Sequence, residues 1–153
     1  MATAPYETTL QTGWSDMDMN GHMANTAYLE KAVDVRLQFF AAHRFGIGEF
    51  ARLRIGPVVM SDELGYFREV HLLEPLRATL ALAGVADDGS RWRLCNEFYR
   101  ADGKLAARVN SVGGWLDLAA RRLVAPPAPL AAALAALGRT ADFGVLPSSL
   151  RER

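Results

Sequence analysis

The chain has 153 residues, 50% hydrophobic and 22% charged, which suffices for one packed core and is too short for two ordinary domains, so 1–153 reads as a single domain with its core over about 6–137. Its formal net charge is zero and its longest Lys/Arg run is the pair Arg121-Arg122, so nothing marks a nucleic acid surface; the lone Cys95 excludes an internal disulfide framework and fits a reduced, cytoplasmic protein. Residues 1–75 carry 6 Lys/Arg against 10 Asp/Glu and residues 76–153 carry 11 against 7, a split of −4 and +4 that suits either phosphate binding by the second half or attraction between halves or subunits.

Residues 6–14 alternate and are rich in Thr and aromatics, which predicts a strand. From Asn25 to about Ala42, Tyr28, Ala32, Val35 and Phe39 recur at helical spacing, and Leu29, Val33, Leu37 and Phe40 widen the apolar face. Only Glu30, Lys31, Asp34 and Gln38 form a polar stripe, so this helix is expected to be packed on several sides, with a sheet around it. Residues 43–56, with three glycines, read as a connection, and 57–70 as a long strand. Asp87-Asp88-Gly89-Ser90 and Ala101-Asp102-Gly103-Lys104 are hairpin signals, which makes 76–86, 91–100 and 105–118 three sequential antiparallel strands. Pro126-Pro127 stops the sheet, 128–137 is a short Ala/Leu helix ended by Gly138, and 139–153 reads as a loosely ordered tail. No apolar stretch reaches the roughly 20 residues that span a bilayer, and Met1 to Leu10 lacks the pattern of a secretory leader, so neither membrane insertion nor secretion is expected.

The chemistry concentrates between the first strand and the long helix, in Asp16-Met17-Asp18-Met19-Asn20-Gly21-His22-Met23-Ala24-Asn25. A helix start leaves backbone N–H groups without intrahelical partners, and these can hold a developing negative charge. A carboxylate beside them is placed to attack a polarised carbonyl carbon, or to send water to it. Asp16, just before a turn, reads as a partner of neighbouring backbone N–H groups. Asn25 reads as an N-cap, which would expose the same donors.

Strand, motif loop, long apolar helix and then four antiparallel strands resembles the hotdog fold, an α+β architecture in which a sheet curls around one central helix. Asp16-Met17-Asp18 with Gly21-His22, Asn25 and Tyr28, then Arg36 and Phe39-Phe40, and the tail Gly114-Trp115-Leu116-Asp117-Leu118, Arg121-Arg122 and Pro126, resembles the 4-hydroxybenzoyl-CoA thioesterase-like family of acyl-CoA thioesterases. The resemblance implies hydrolysis of an acyl-CoA to free acid and coenzyme A, with no cofactor, by a homodimer or homotetramer whose sites lie between subunits. It places Asp18 as the catalytic carboxylate and Asn25 where a backbone N–H polarises the thioester carbonyl. His22 matches a Gly-His of many relatives and reads as a positioning group.

Further candidates for substrate contact are Tyr28, which as a helix aromatic is first of all core, and, in reserve, Asp62 and Glu63, which strand alternation points to opposite faces and which read first as an edge-strand charge or an Arg partner. Arg68, Arg91, Arg93, Arg100 and Arg108 are candidates for the phosphates of coenzyme A, since guanidinium binds phosphate well, although strand arginines are more often solvated. The three His and Cys95 show no metal-ligand spacing, and no metal is expected. Two alternatives remain open from sequence: a hotdog enoyl-CoA hydratase, suggested by Asp18 and His22, and a noncatalytic acyl-CoA binding module.

Overall fold

A computed structural model describes residues 4–150. In chain order the elements are β1 (Tyr6–Gln11), a 3-10 turn (Trp14–Asp16), α1 (Asn25–Ala42), α2 (Ile47–Leu53), β2 (Ile55–Tyr66), β3 (Pro75–Ala86), β4 (Arg91–Tyr99), β5 (Leu105–Asp117), β6 (Arg122–Val124), α3 (Ala128–Ala135) and β7 (Arg139–Leu146). The sheet runs β1-β3-β4-β5-β2, with β6 paired to β5 and β7 to β3. Its pairings are antiparallel except that of β7, which is parallel to β3. The sheet and the 18-residue helix α1 share one core, in which the rings of Phe39 and Tyr6, of Tyr28 and Phe98, and of Phe40 and Trp115 meet edge to face. Offset edge contacts of this kind add roughly 0.5–1.5 kcal/mol each beyond burial. This is the hotdog architecture.

The strand alternation read from sequence carries into the register: Leu76, Ala78, Leu80 and Leu82 of β3 and Trp92, Leu94 and Phe98 of β4 face the core. Gly113 lies where β5 meets β2 and β4 most closely, and a Cβ there would overlap the Val58 carbonyl oxygen and the Trp92 ring. Only glycine fits that approach.

Four features depart from the expectations. Residues 139–146 form β7, half-buried against residues 82–86 of β3, rather than belonging to a loose tail. The pairing supplies the order, because β1 covers only the first half of that edge of β3; residues 151–153 of the expected tail lie outside the described residues. Within 43–56, Ile47–Leu53 closes as a helix that buries Phe50 against Phe40, Phe45 and Trp115. Strand β2 ends at Tyr66, after which 67–74 turns away to reach the motif loop. Val33 and Leu37, read as part of the apolar face of α1, are 39% and 41% exposed, because no element among the described residues covers that stripe.

Candidate active site

The motif loop is a tight turn closed at both ends. Gly21 N–H donates to the Asp18 carbonyl at 3.2 Å, Asp18 N–H donates to the His22 carbonyl at 2.9 Å, and Met17 and Met23 bridge beyond them. Gly21 sits at φ +82°, the left-handed conformation that such a turn assigns to glycine. Asp18 Oδ1 accepts the Asn20 N–H at 2.8 Å, which fixes the carboxylate on its own loop. Asp16 bonds the Gly13 N–H at 2.8 Å and Lys31 Nζ at 3.1 Å, so its carboxylate serves the loop's framework.

Helix α1 is capped by Ala24, in extended conformation and without a side-chain bond, so Asn25 is the first helical residue and not the N-cap. The reason lies upstream: Ala24 N–H donates to the Asp16 carbonyl at 2.8 Å, which sets the entry angle through backbone alone. As the first helical residue, Asn25 has an N–H with no intrahelical acceptor. Its carbonyl accepts the Tyr66 hydroxyl at 3.0 Å, across a sequence separation of 41.

A recess of about 330 Å³ opens at this helix start, lined by Asp18, His22, Met23, Asn25 and Tyr28 on one side and by Tyr66, Phe67, Arg68 and Glu69 on the other. The structure thus brings Asp18, His22, Asn25 and Tyr28 together. Tyr28 is buried with its ring edge-on to Tyr66 and Phe98, and burial, with Glu74, Tyr66 and Asp18 adding, pushes its hydroxyl up to about 12; it stays neutral. His22 lies between two carboxylates, Nε2 3.2 Å from Glu69 Oε2 and Nδ1 3.9 Å from Asp18 Oδ2.

The other sequence candidates, Arg68 apart, lie elsewhere in this chain. Asp62 accepts from the Ser111 hydroxyl, which itself accepts Arg36 Nη2 at 2.6 Å, while Arg36 Nε donates to Asn96 Oδ1 at 3.0 Å. Arg36 is 5% exposed, and desolvation lowers its pKa against the opposing pull of Asp62. Glu63 is exposed on β2. Arg91 Nε donates to Ser149 Oγ at 3.1 Å, and Arg93 is half-buried; neither lines the recess. Of the half of the recess formed by Tyr66 to Glu69, the sequence pointed to Arg68 alone and missed Tyr66, Phe67 and Glu69; their run of aromatic and charged residues at the end of a long strand was the one available signal. Among the described residues, no group of three or more His, Cys, Asp or Glu is arranged to hold a metal ion. No helix among them is long and apolar enough to cross a membrane.

Comparison with known proteins gives a family and a fold. A family model described as the thioesterase-like superfamily matches residues 12–134. No curated protein matches the chain. Among solved structures, a hypothetical protein of Staphylococcus aureus in complex with CoA is similar at 21% identity and TM-score 0.82, over 100% of this chain and 96% of that one. A 1,4-dihydroxy-2-naphthoyl-CoA thioesterase from Synechocystis is similar at 15% identity and TM-score 0.77, over 86% and 96%. The probable thioesterase YbaW of Escherichia coli is similar at 20% identity and TM-score 0.73, over 86% and 98%. At these identities the likeness establishes the fold.

Proposed function

The chain belongs to the thioesterase-like superfamily, and from that premise we propose that it hydrolyses acyl-CoA thioesters to a free acid and coenzyme A. The observation that carries the reading is the placement of the Asp18 carboxylate in one recess with the N-terminus of α1. A thioester carbonyl is electrophilic and a thiolate leaves readily, so one aimed carboxylate and one or two donors suffice. The Asn25 N–H stabilises negative charge as it develops on the carbonyl oxygen, and the helix dipole favours that charge. Asp18 then acts at the carbonyl carbon, as nucleophile or as base toward water. Tyr66 steadies the first peptide of the helix through its bond to the Asn25 carbonyl. No cofactor enters this chemistry.

The working unit in this reading is a homodimer, with the homotetramer as a further pairing. Two features support it: the apolar stripe of Val33 and Leu37 on the otherwise central helix, and the 12-residue edge strand β2, which exposes Val59 and Met60. An unpaired apolar edge of this length invites a second copy. The activity is tested by following thiol release from short, medium, long and aromatic acyl-CoAs. Turnover supports hydrolysis; loss of enoyl absorbance without thiol release would instead support a hydratase, and binding without either would support a noncatalytic module.

A further inference from the structure

The segment that completes the recess docks on the motif loop through a main-chain hydrogen bond, Met23 N–H to the Val70 carbonyl at 2.8 Å. That bond sets the preceding residues, His22 and Glu69, side by side, and their side chains meet at 3.2 Å. The Glu69 backbone is held from behind. Its carbonyl accepts Arg100 Nη1 at 3.1 Å, and the Phe67 and Arg68 N–H groups donate to the Ala106 carbonyl at 2.8 and 3.1 Å. Such support is what an oriented group requires.

The contact turns Nε2 toward Glu69 and leaves Nδ1 facing Asp18. Nδ1 lies 3.9 Å from Asp18 Oδ2, beyond direct hydrogen-bond distance. A single water with its oxygen about 2.8 Å from both bridges that gap, at an angle of about 90° at the oxygen.

Resting on the hydrolase reading above, we propose that Asp18 and His22 hold the hydrolytic water between them, and that Glu69 is the positioning residue that holds the His22 ring with Nδ1 toward Asp18. The water oxygen adds to the thioester carbon while one of its protons passes to Asp18, and the carbonyl electron pair moves onto oxygen beside the Asn25 N–H. Collapse re-forms the carbonyl and breaks the C–S bond; sulfur leaves with the electron pair and takes the proton from Asp18. Water and thioester thereby give acid and thiol, and no anhydride with Asp18 forms.

The test measures kcat and KM for wild type, Glu69→Ala, Glu69→Gln, His22→Gln and the double variant His22→Gln/Glu69→Ala, on an acyl-CoA that the wild type turns over. Glu69→Ala is expected to lower kcat roughly 10- to 100-fold, the scale of a misplaced reacting group, with KM within about two-fold. Glu69→Gln is expected to recover most of that loss, because Gln keeps the length of the side chain and a polar oxygen to set beside Nε2. The double variant should be no slower than His22→Gln alone, since Glu69 acts through His22. A wild-type kcat in Glu69→Ala, a loss confined to KM, losses that multiply, or an Asp18 hydroxamate trapped with hydroxylamine during turnover would each overturn the proposal. Those outcomes leave thioester hydrolysis standing; a wild type that releases no thiol from any acyl-CoA removes both.

Discussion

Gly21 and Gly103 form a matched pair on which the role of the motif loop is tested. Both sit at φ +82° in turns of the same form: Gly21 N–H donates to Asp18 and Asp18 N–H to His22, as Gly103 N–H donates to Arg100 and Arg100 N–H to Lys104. A Cβ at either position meets nothing within 4 Å, so an alanine there carries no clash, only the cost of a left-handed backbone. That cost is about 1–2 kcal/mol, offset in part by the lower chain entropy of unfolded alanine, for a net loss near 1 kcal/mol. In a chain of this size that lowers Tm by about 2–4 °C. Gly21→Ala and Gly103→Ala are therefore expected to lose similar stability by thermal unfolding, while only Gly21→Ala, whose turn carries Asp18 and His22, loses kcat, by about ten-fold or more. Equal activity in the two variants, or full activity in Gly21→Ala at reduced Tm, would refute the claim that this turn sets the geometry of Asp18.

Arg36→Met removes the donors to Asn96 Oδ1 and the Ser111 hydroxyl in a site where Arg36 and both partners are buried, and is expected to cost roughly 2–3 kcal/mol, read as a lower urea midpoint; an unchanged midpoint would contradict the buried network. Leu37→Glu places a charge on the exposed stripe of α1, where a single folded chain loses little, within about 0.5 kcal/mol. By light scattering, wild type should be a dimer or larger and the variant a monomer, and a variant that stays assembled would place the interface elsewhere. Cys95 is 6% exposed, and burial pushes its thiol up to about 11, so at neutral pH it presents almost no thiolate. The folded protein should give no colour with a disulfide dye until denatured; fast reaction in the native state would contradict its burial.

Much of the fold was legible because the local signals agreed with the tertiary outcome. Helical spacing from Tyr28 to Phe40 gave α1, and the two Asp-Gly turns gave the run β3-β4-β5. Strand β7 was not legible: Arg139, Asp142 and Gly144 break its alternation, and its order comes from a long-range parallel pairing with β3. Likewise Asn25 looked like a cap, yet Ala24 takes that position through a backbone bond to Asp16 that no local pattern announces. At the site, one half was contained in a contiguous motif, Asp18 to Tyr28, and could be read. The other half, Tyr66 to Glu69, is brought there by the Met23–Val70 hydrogen bond and by Tyr66 reaching Asn25, so it is a property of the topology. Asp62, Glu63, Arg91 and Arg93 carried suitable chemistry, but strand direction places them away from this recess within one chain.

The most direct measurement compares thiol release by wild type and Asp18→Asn across the acyl-CoA panel, with circular dichroism confirming that the variant is folded. Asn keeps the size of Asp18 and its bond from the Asn20 N–H while removing the charge. The expected result is turnover of at least one acyl class by wild type and a fall of about 10²-fold or more in kcat for the variant, the scale of a lost acid–base group. Release at the wild-type rate by folded Asp18→Asn would contradict the account.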